Sequence, residues 1–599
     1  MVALKTRQEL NPEETWDLSL LFPSQAAFLE KLEACRNQAE AFNQTYAGNL
    51  KDAKTLISAL DQLEAIERDL TWLYAYGSLG YEVDKNDPQH QENVNLIPGF
   101  FETVGSHLSF VKAEIAQLDQ AVIDQVIADP HGQIYEPYLS NVLLIKPHLL
   151  SAEVEKALSS LNGTLNAFYP TYGALKFQDM TFDDFEANGQ TYPNSFVSFE
   201  NDYEGHLDPA IRQGAWESFH QGLAKYQHTA AANYIHQVKK EKKMATLRGF
   251  DSVFDFLLFE QKVSRQAYDR QIDVIMAEFA PVMRRYARLL AKEQGLDQVS
   301  LADIKMPFTS QAAEQISIDQ ARQMMEEVFE VFGPEYLEIV KQSFDERWID
   351  FPMNQTKSTG GFCSTIYQGP SYILLNWTGL LSEVLVLAHE LGHAGHFNLT
   401  YKNQLALTPE VSLYFVEAPS TANEVITCQY LLNQPIDDLQ KRLLIAEFIS
   451  RTYFHNMVTH LLEADFQRKV YKAVDAGQLL TAEILNDYFK ETLENFWGKD
   501  LYINPGAELT WMRQPHYFMG LYPYTYSAGL TVGTQIGQRI AQGDQAAIDA
   551  WLEVLKAGGT LSPLELAEKA GVSMHDATAL RSAIAYVDGL LDQIEALKS

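Results

Sequence analysis

The apolar positions of this chain recur with a helical period over most of its length. Between Ala26 and Phe42, the residues Phe28, Leu29, Leu32, Cys35 and Ala39 form one stripe with charges opposite, the spacing of an amphipathic helix. The same pattern predicts helices over 51–80, 110–128, 151–162, 207–248, 264–295, 318–344, 437–475, 481–497 and 563–597. Strand-like sequence is scarce. Phe177–Phe182 is one short candidate, and Gly360–Tyr367 with Ser371–Asn376 reads as a strand pair turning at Gly369-Pro370. Pro and Gly occur singly, as helix punctuation, with no repeat or linker-like tract. The expectation is a mainly α protein with one small antiparallel sheet. A soft boundary is expected near residue 200, where the polar, aromatic stretch Asn188–Asp202 precedes a long helical run. That gives an N-terminal helical domain over 1–200 and a second domain over 201–599.

Composition narrows the classes. The chain has 599 residues and is 46% hydrophobic, enough for a large core. Its net charge of −33 repels phosphates, which argues against nucleic acid and anionic membranes as partners. Cys35, Cys363 and Cys428 form no CxxC pair, so neither a thiolate metal site nor a disulfide framework is expected. The opening Met1-Val2-Ala3-Leu4-Lys5 lacks a signal-peptide core, and no window approaches the ~18 apolar residues of a membrane span. A soluble, cytoplasmic protein is expected.

Candidate chemistry concentrates in Leu387-Ala-His-Glu-Leu-Gly-His-Ala-Gly-His396, which contains HExxH. On a helix, His389 and His393 lie one turn apart on one face. Two imidazoles so placed can share one zinc at about 2.0–2.1 Å, with Glu390 beside them as a base for water. Ser382 is the expected N-cap, and Glu383 suits the positive end of the helix. Gly392 and Gly395 each cost about 1 kcal/mol relative to Ala inside a helix, so a closely packed neighbour is expected there.

A catalytic zinc keeps three protein ligands and one open position. Glu410, Glu417 and Glu424 are the next acidic residues. Glu417 sits in the apolar run Tyr414-Phe-Val-Glu-Ala-Pro-Ser420, where an unpaired carboxylate is costly; it reads either as a ligand or as a salt-bridged helix residue. Glu424, two turns further along the same face, can accept the spare N–H of a ligating histidine. His396 lies about 10 Å along the axis from His389 at 1.5 Å per residue, too far for one tetrahedral site.

At this point the sequence resembles the oligoendopeptidase F group of the thimet-oligopeptidase-like zinc peptidases, over nearly the whole chain. The resemblance is carried by Thr15-Trp16-Asp17-Leu18, Val238-Lys239-Lys240-Glu241, Arg248-Gly249-Phe250, Gly360-Gly361-Phe362-Cys363, Ile373–Asn376, the HExxH run, Phe415–Ser420, and the segment from Pro515-His516-Tyr517 to Gly529. It implies two helical halves enclosing a deep channel, and a peptidase of short peptides with one zinc. The N-terminal domain would be of the oligopeptidase F type and 201–599 the catalytic domain. It also implies Glu417 as third ligand, and His516, Tyr526 and Tyr522 as donors to the oxyanion. Without the resemblance, those last three read first as aromatic core. Gly360 and Gly361 fall on the family's substrate-side hairpin, whose backbone can pair with an extended peptide. The run Phe415–Glu424 mixes features of two family branches, which bears on Glu424 more than on Glu417. The alternatives are a zinc carboxypeptidase of similar helical fold and a non-catalytic peptide-binding protein.

Overall fold

The computed structural model describes residues 4–308 and 315–598. Helices dominate. Gln25–Tyr46 is capped by Ser24, whose hydroxyl accepts the Ala27 N–H, and Ala53–Val83 is capped in the same way by Asp52. The buried stripe of the first helix is Phe28, Leu32, Cys35, Ala39, Phe42 and Tyr46. Leu29, expected on that stripe, is 42% exposed; one residue is a 100° step, which carries it off the packed face. A third helix, Pro88–Leu108, packs on both. Its polar sequence and internal Pro98 hide it from periodicity, although Asp87 caps it and Pro88 occupies its first position.

Several predicted helices are interrupted. The run 110–128 breaks between Gln117 and Gln120. The run 318–344 breaks at Gly333-Pro334, where Gly333 takes φ +81°. The run 264–295 passes through a π-helical turn over Ile275–Phe279. The strand expected at 177–182 does not form: Leu175–Asp179 is a π-helical turn, and the Phe182 ring stacks on Phe219 at 4.6 Å. The apolar side chains there pack on the long helix Pro209–Leu247 rather than on a partner strand. A small hairpin follows instead, β1 (Phe185–Ala187) against β2 (Gln190–Tyr192). Its turn is Asn188-Gly189, both at positive φ, the residue pair such turns demand.

A second sheet lies immediately before the HExxH run. β4 (Phe362–Thr365) pairs antiparallel with β5 (Ser371–Trp377), as expected from the sequence. β3 (Ile349–Pro352) joins the other edge of β5 in parallel, so the sheet is mixed, in the order β3-β5-β4. Asp350 of β3 is fully buried and paired with Lys357 at 2.7 Å and with Arg7 at 2.6 Å. Its carboxylate also accepts the Trp16 N–H, and the Tyr372 hydroxyl donates to Asp17 O at 2.7 Å. The N-terminal segment is thereby stitched to the sheet. One hydrophobic cluster runs from Leu175 to Ile594, while the helices from Phe28 to Val142 have a cluster of their own, joined by Leu407. Among the described residues no helix is long and apolar enough to cross a membrane.

Candidate metal centre

β5 leads into the HExxH helix, Leu381–Asn403. The helix starts before Ser382, with Leu380 as N-cap. In place of a serine cap, the Glu383 carboxylate reaches back and accepts the N–H groups of Thr378, Gly379 and Leu380 at 2.7, 2.7 and 3.0 Å. This ties down the turn that enters the helix, N-cap residue included, and places an anion at the helix's positive end.

The two glycines of the motif have the packing reason expected of them. A Cβ at Gly392 would lie 2.6 Å from Ser420 Cα, and one at Gly395 would lie 2.3 Å from the Tyr336 ring. The neighbour pressed on Gly392 is the helix Leu413–Leu432, which carries Glu417 and Glu424. A third helix, Pro523–Ala541, closes on the far side of that one. Its Gly529, Gly533 and Gly537 lie against Glu417, Thr421 and Val425, with ideal Cβ positions 2.3–2.8 Å from those side chains.

This packing brings the predicted ligand atoms together. His389 Nε2 lies 3.4 Å from Glu417 Oε2, and His393 Nε2 lies 3.3 Å from the same oxygen. Ligands about 2.0–2.1 Å from a tetrahedral ion are separated by roughly 3.4 Å. Ser420 Oγ donates to Glu417 Oε2 at 2.9 Å. His389 Nδ1 donates to Glu424 Oε1 at 2.7 Å, and the Thr452 hydroxyl holds the other Glu424 oxygen. His393 Nδ1 has no partner among the described residues. Glu390, Glu417 and Glu424 are each 6% exposed. Three buried carboxylates with two imidazoles make a set that a divalent cation balances. Burial pushes the Glu390 carboxyl up from the ordinary range, against the pull of His389 and His393. For Glu417 burial acts in the same sense, but the two histidines win and hold it well below that range.

The remaining predicted residues surround this set. Gly361 lies over Glu390, its ideal Cβ position 3.3 Å from Glu390 Oε1, and Gly360 adopts φ +84° beside it. Tyr522 OH is 3.3 Å from Glu417 Oε1, so of the two tyrosines Tyr522 is the one that touches the ligand set. Tyr526 stands at its edge with ring centroids 5.0 Å apart, and Tyr526 OH is 3.5 Å from His516 Nε2. His396 is buried outside the set, and burial pushes it down to about 3.

Sequence reasoning missed a second cluster behind His516. Glu463 Oε2 is 3.1 Å from His516 Nδ1 and 3.0 Å from His460 Nδ1, and His460 Nε2 is 3.0 Å from His455 Nε2. An acid three residues after a histidine within the apolar run Leu461-Leu462 was the available signal. The cluster also changes the reading of His516. With its Nδ1–H given to Glu463, a neutral ring offers a lone pair at Nε2, so it donates there only when doubly protonated.

Comparison with known proteins places this chain among peptidases. Residues 205–586 match the family model described as Peptidase family M3, and the chain belongs to that family. Residues 114–182 match the model described as Oligopeptidase F. Oligopeptidase PepF of Bacillus subtilis is 26% identical over 99% of this chain and 88% of its own length. An oligoendopeptidase F homolog of Lactococcus lactis is 26% identical over 99% of this chain and 98% of its own. Among solved structures, oligoendopeptidase-F from Enterococcus faecium superposes with a TM-score of 0.75 at 21% identity, covering 95% of this chain and 98% of that one. A crystal structure from Chlamydophila abortus gives 0.85 at 22%, covering 99% and 100%. These structures share the fold.

Proposed function

We propose that this member of the family is a zinc-dependent endopeptidase of short peptides, with one zinc held by His389, His393 and Glu417. The reading is supported most directly by the convergence of both Nε2 atoms on Glu417 Oε2 at 3.3 and 3.4 Å. Zinc in that place supplies a Lewis acid for the scissile carbonyl and for the attacking water.

The chain's own residues do the rest. Glu424 fixes the His389 tautomer so that Nε2 faces the ion. Glu390 takes the proton of the attacking water and passes it to the leaving nitrogen; its burial, which raises it, suits a group that must both accept and return a proton. Tyr526 and Tyr522 present hydroxyls to the oxyanion, with His516 Nε2 beside the Tyr526 hydroxyl. The backbone at Gly360 and Gly361, of which Gly361 lies over Glu390, leads into the edge strand β4 and is the proposed place for an extended substrate to add as a strand. Cys35, Cys363 and Cys428 are all free, which supports a cytoplasmic placement.

The test is Glu390→Gln. Zinc content should be retained while hydrolysis of an internal peptide bond falls by about 10²–10⁴-fold. Unchanged turnover removes the general-base role. Cleavage confined to free C-termini, with a C-terminally amidated peptide left intact, converts the reading to a carboxypeptidase.

A further inference from the structure

The helix His460–Asp475 puts one buried carboxylate behind the oxyanion side of the site. Glu463 is 2% exposed, and its Oε2 receives two imidazoles, His460 from the preceding turn and His516 from 53 residues along the chain. A carboxylate only accepts hydrogen bonds, so both contacting Nδ1 atoms carry hydrogen. The proton inventory of the pair behind is complete with both rings neutral: His455 Nε2–H donates to His460 Nε2 at 3.0 Å. Burial holds both of these rings below the usual histidine range. Glu463 itself would be raised by burial, but His460 and His516 outweigh that and hold it down to about 2. One negative charge therefore faces two imidazoles, one of which is committed to a neutral partner. The other, His516, turns Nε2 to Tyr526.

We propose that Glu463 is a positioning residue for the reaction: it fixes the His516 ring through Nδ1–H, with Nε2 turned toward Tyr526 and the substrate oxygen. It touches no metal ligand, and acts through His516. The arrangement is that of a carboxylate setting the tautomer and orientation of a working histidine. His460, Glu463 and His516 also have the residue types of a metal site, with all three donor atoms close together. Two N–H donors on a single oxygen at 3.0 and 3.1 Å already account for those separations. The inference rests on the peptidase reading, because it assigns Glu463 to that reaction.

Two measurements test it on the full-length zinc-loaded protein. In the first, Glu463→Gln is made in the wild type and in His516→Ala. We expect kcat on a short peptide to fall at least about tenfold in the wild type with KM changed less than about twofold, and Glu463→Gln to add less than about twofold on top of His516→Ala. Equal fold-losses in both backgrounds would mean a structural role and overturn the proposal, as would an unimpaired Glu463→Gln alongside an impaired His516→Ala. The second needs no variant of Glu463 to fold. Imidazole nitrogen NMR of the wild type, with His516 assigned by its loss in His516→Ala, should show a protonated Nδ1. A bare Nδ1, or a second equivalent of bound metal per chain lost on His460→Ala, overturns it. Failure of the peptidase reading is seen separately, as a wild type that cleaves no peptide whatever the His516 tautomer.

Discussion

His389 Nδ1 donates to Glu424 Oε1 across 2.7 Å, linking the HExxH helix to a carboxylate 35 residues further along the chain. The bond leaves the Nε2 lone pair as the only free position on the ring, facing Glu417. Removing it with Glu424→Ala should weaken zinc binding by about 10–100-fold. Competition against a chelator of known affinity checks this, and unaltered affinity would show that ring packing alone orients His389. His393, whose Nδ1 has no such partner among the described residues, sets the contrast.

Gly392→Ala places a methyl where Ser420 Cα now lies 2.6 Å away, with Pro419 O at 2.7 Å. Both neighbours are backbone, so the helices must part. A cost of about 1–3 kcal/mol in unfolding free energy is expected, with weaker metal binding because His393 and Glu417 separate. Denaturant unfolding and zinc titration together check it. Stability lost with affinity intact would show that the helices part away from the ligands.

Much of this was legible in the sequence because it is local. The two histidines and Glu390 lie within one and a half turns, and a helix fixes their faces regardless of the rest of the fold. The β4–β5 pair was legible for the same reason, through its turn. The parallel partner β3 was not, since nothing near Ile349–Pro352 says which edge it joins. The Glu463 cluster was hidden for a related cause: His460 and His516 meet only after two helices have packed. Gly333-Pro334 and Asn188-Gly189 did carry signals, in the form of turn residues that a search for helical periodicity passes over.

Asp350→Ala leaves Lys357 buried without a charge partner, in a place where both side chains are inaccessible to solvent. Stability should fall by about 3–5 kcal/mol. The N-terminal segment should also loosen, because Arg7 and the Trp16 N–H lose the same acceptor. Denaturant unfolding measures the first effect and faster amide exchange at Trp16 the second. A change below about 1 kcal/mol would show that the pair is offset by its own desolvation.

His220 is buried beside Trp216, and burial pushes it down to about 3. Its folded value is below its unfolded one, so between roughly pH 6.5 and 3 the unfolded chain binds a proton that the folded chain refuses. Stability from this residue is intact above that window and is lost as the pH falls through it. Going from pH 7 to 5.5, wild type should lose about 1 kcal/mol more than His220→Phe. Urea unfolding at the two pH values measures it, and parallel losses in the two proteins would show that the ring is charged in the fold.

The glycine row at 529, 533 and 537 brings two helix backbones into touching distance along three turns. One of them bears the carboxylate proposed to grip the ion, and the other starts at the tyrosines proposed to face the reacting carbonyl. With no side chains on the glycine row to slide or repack against Glu417, Thr421 and Val425, these two pieces of machinery travel as one solid part. Any breathing of the molecule that admits a peptide must therefore hinge elsewhere, and the chemical apparatus reaches its substrate ready-made.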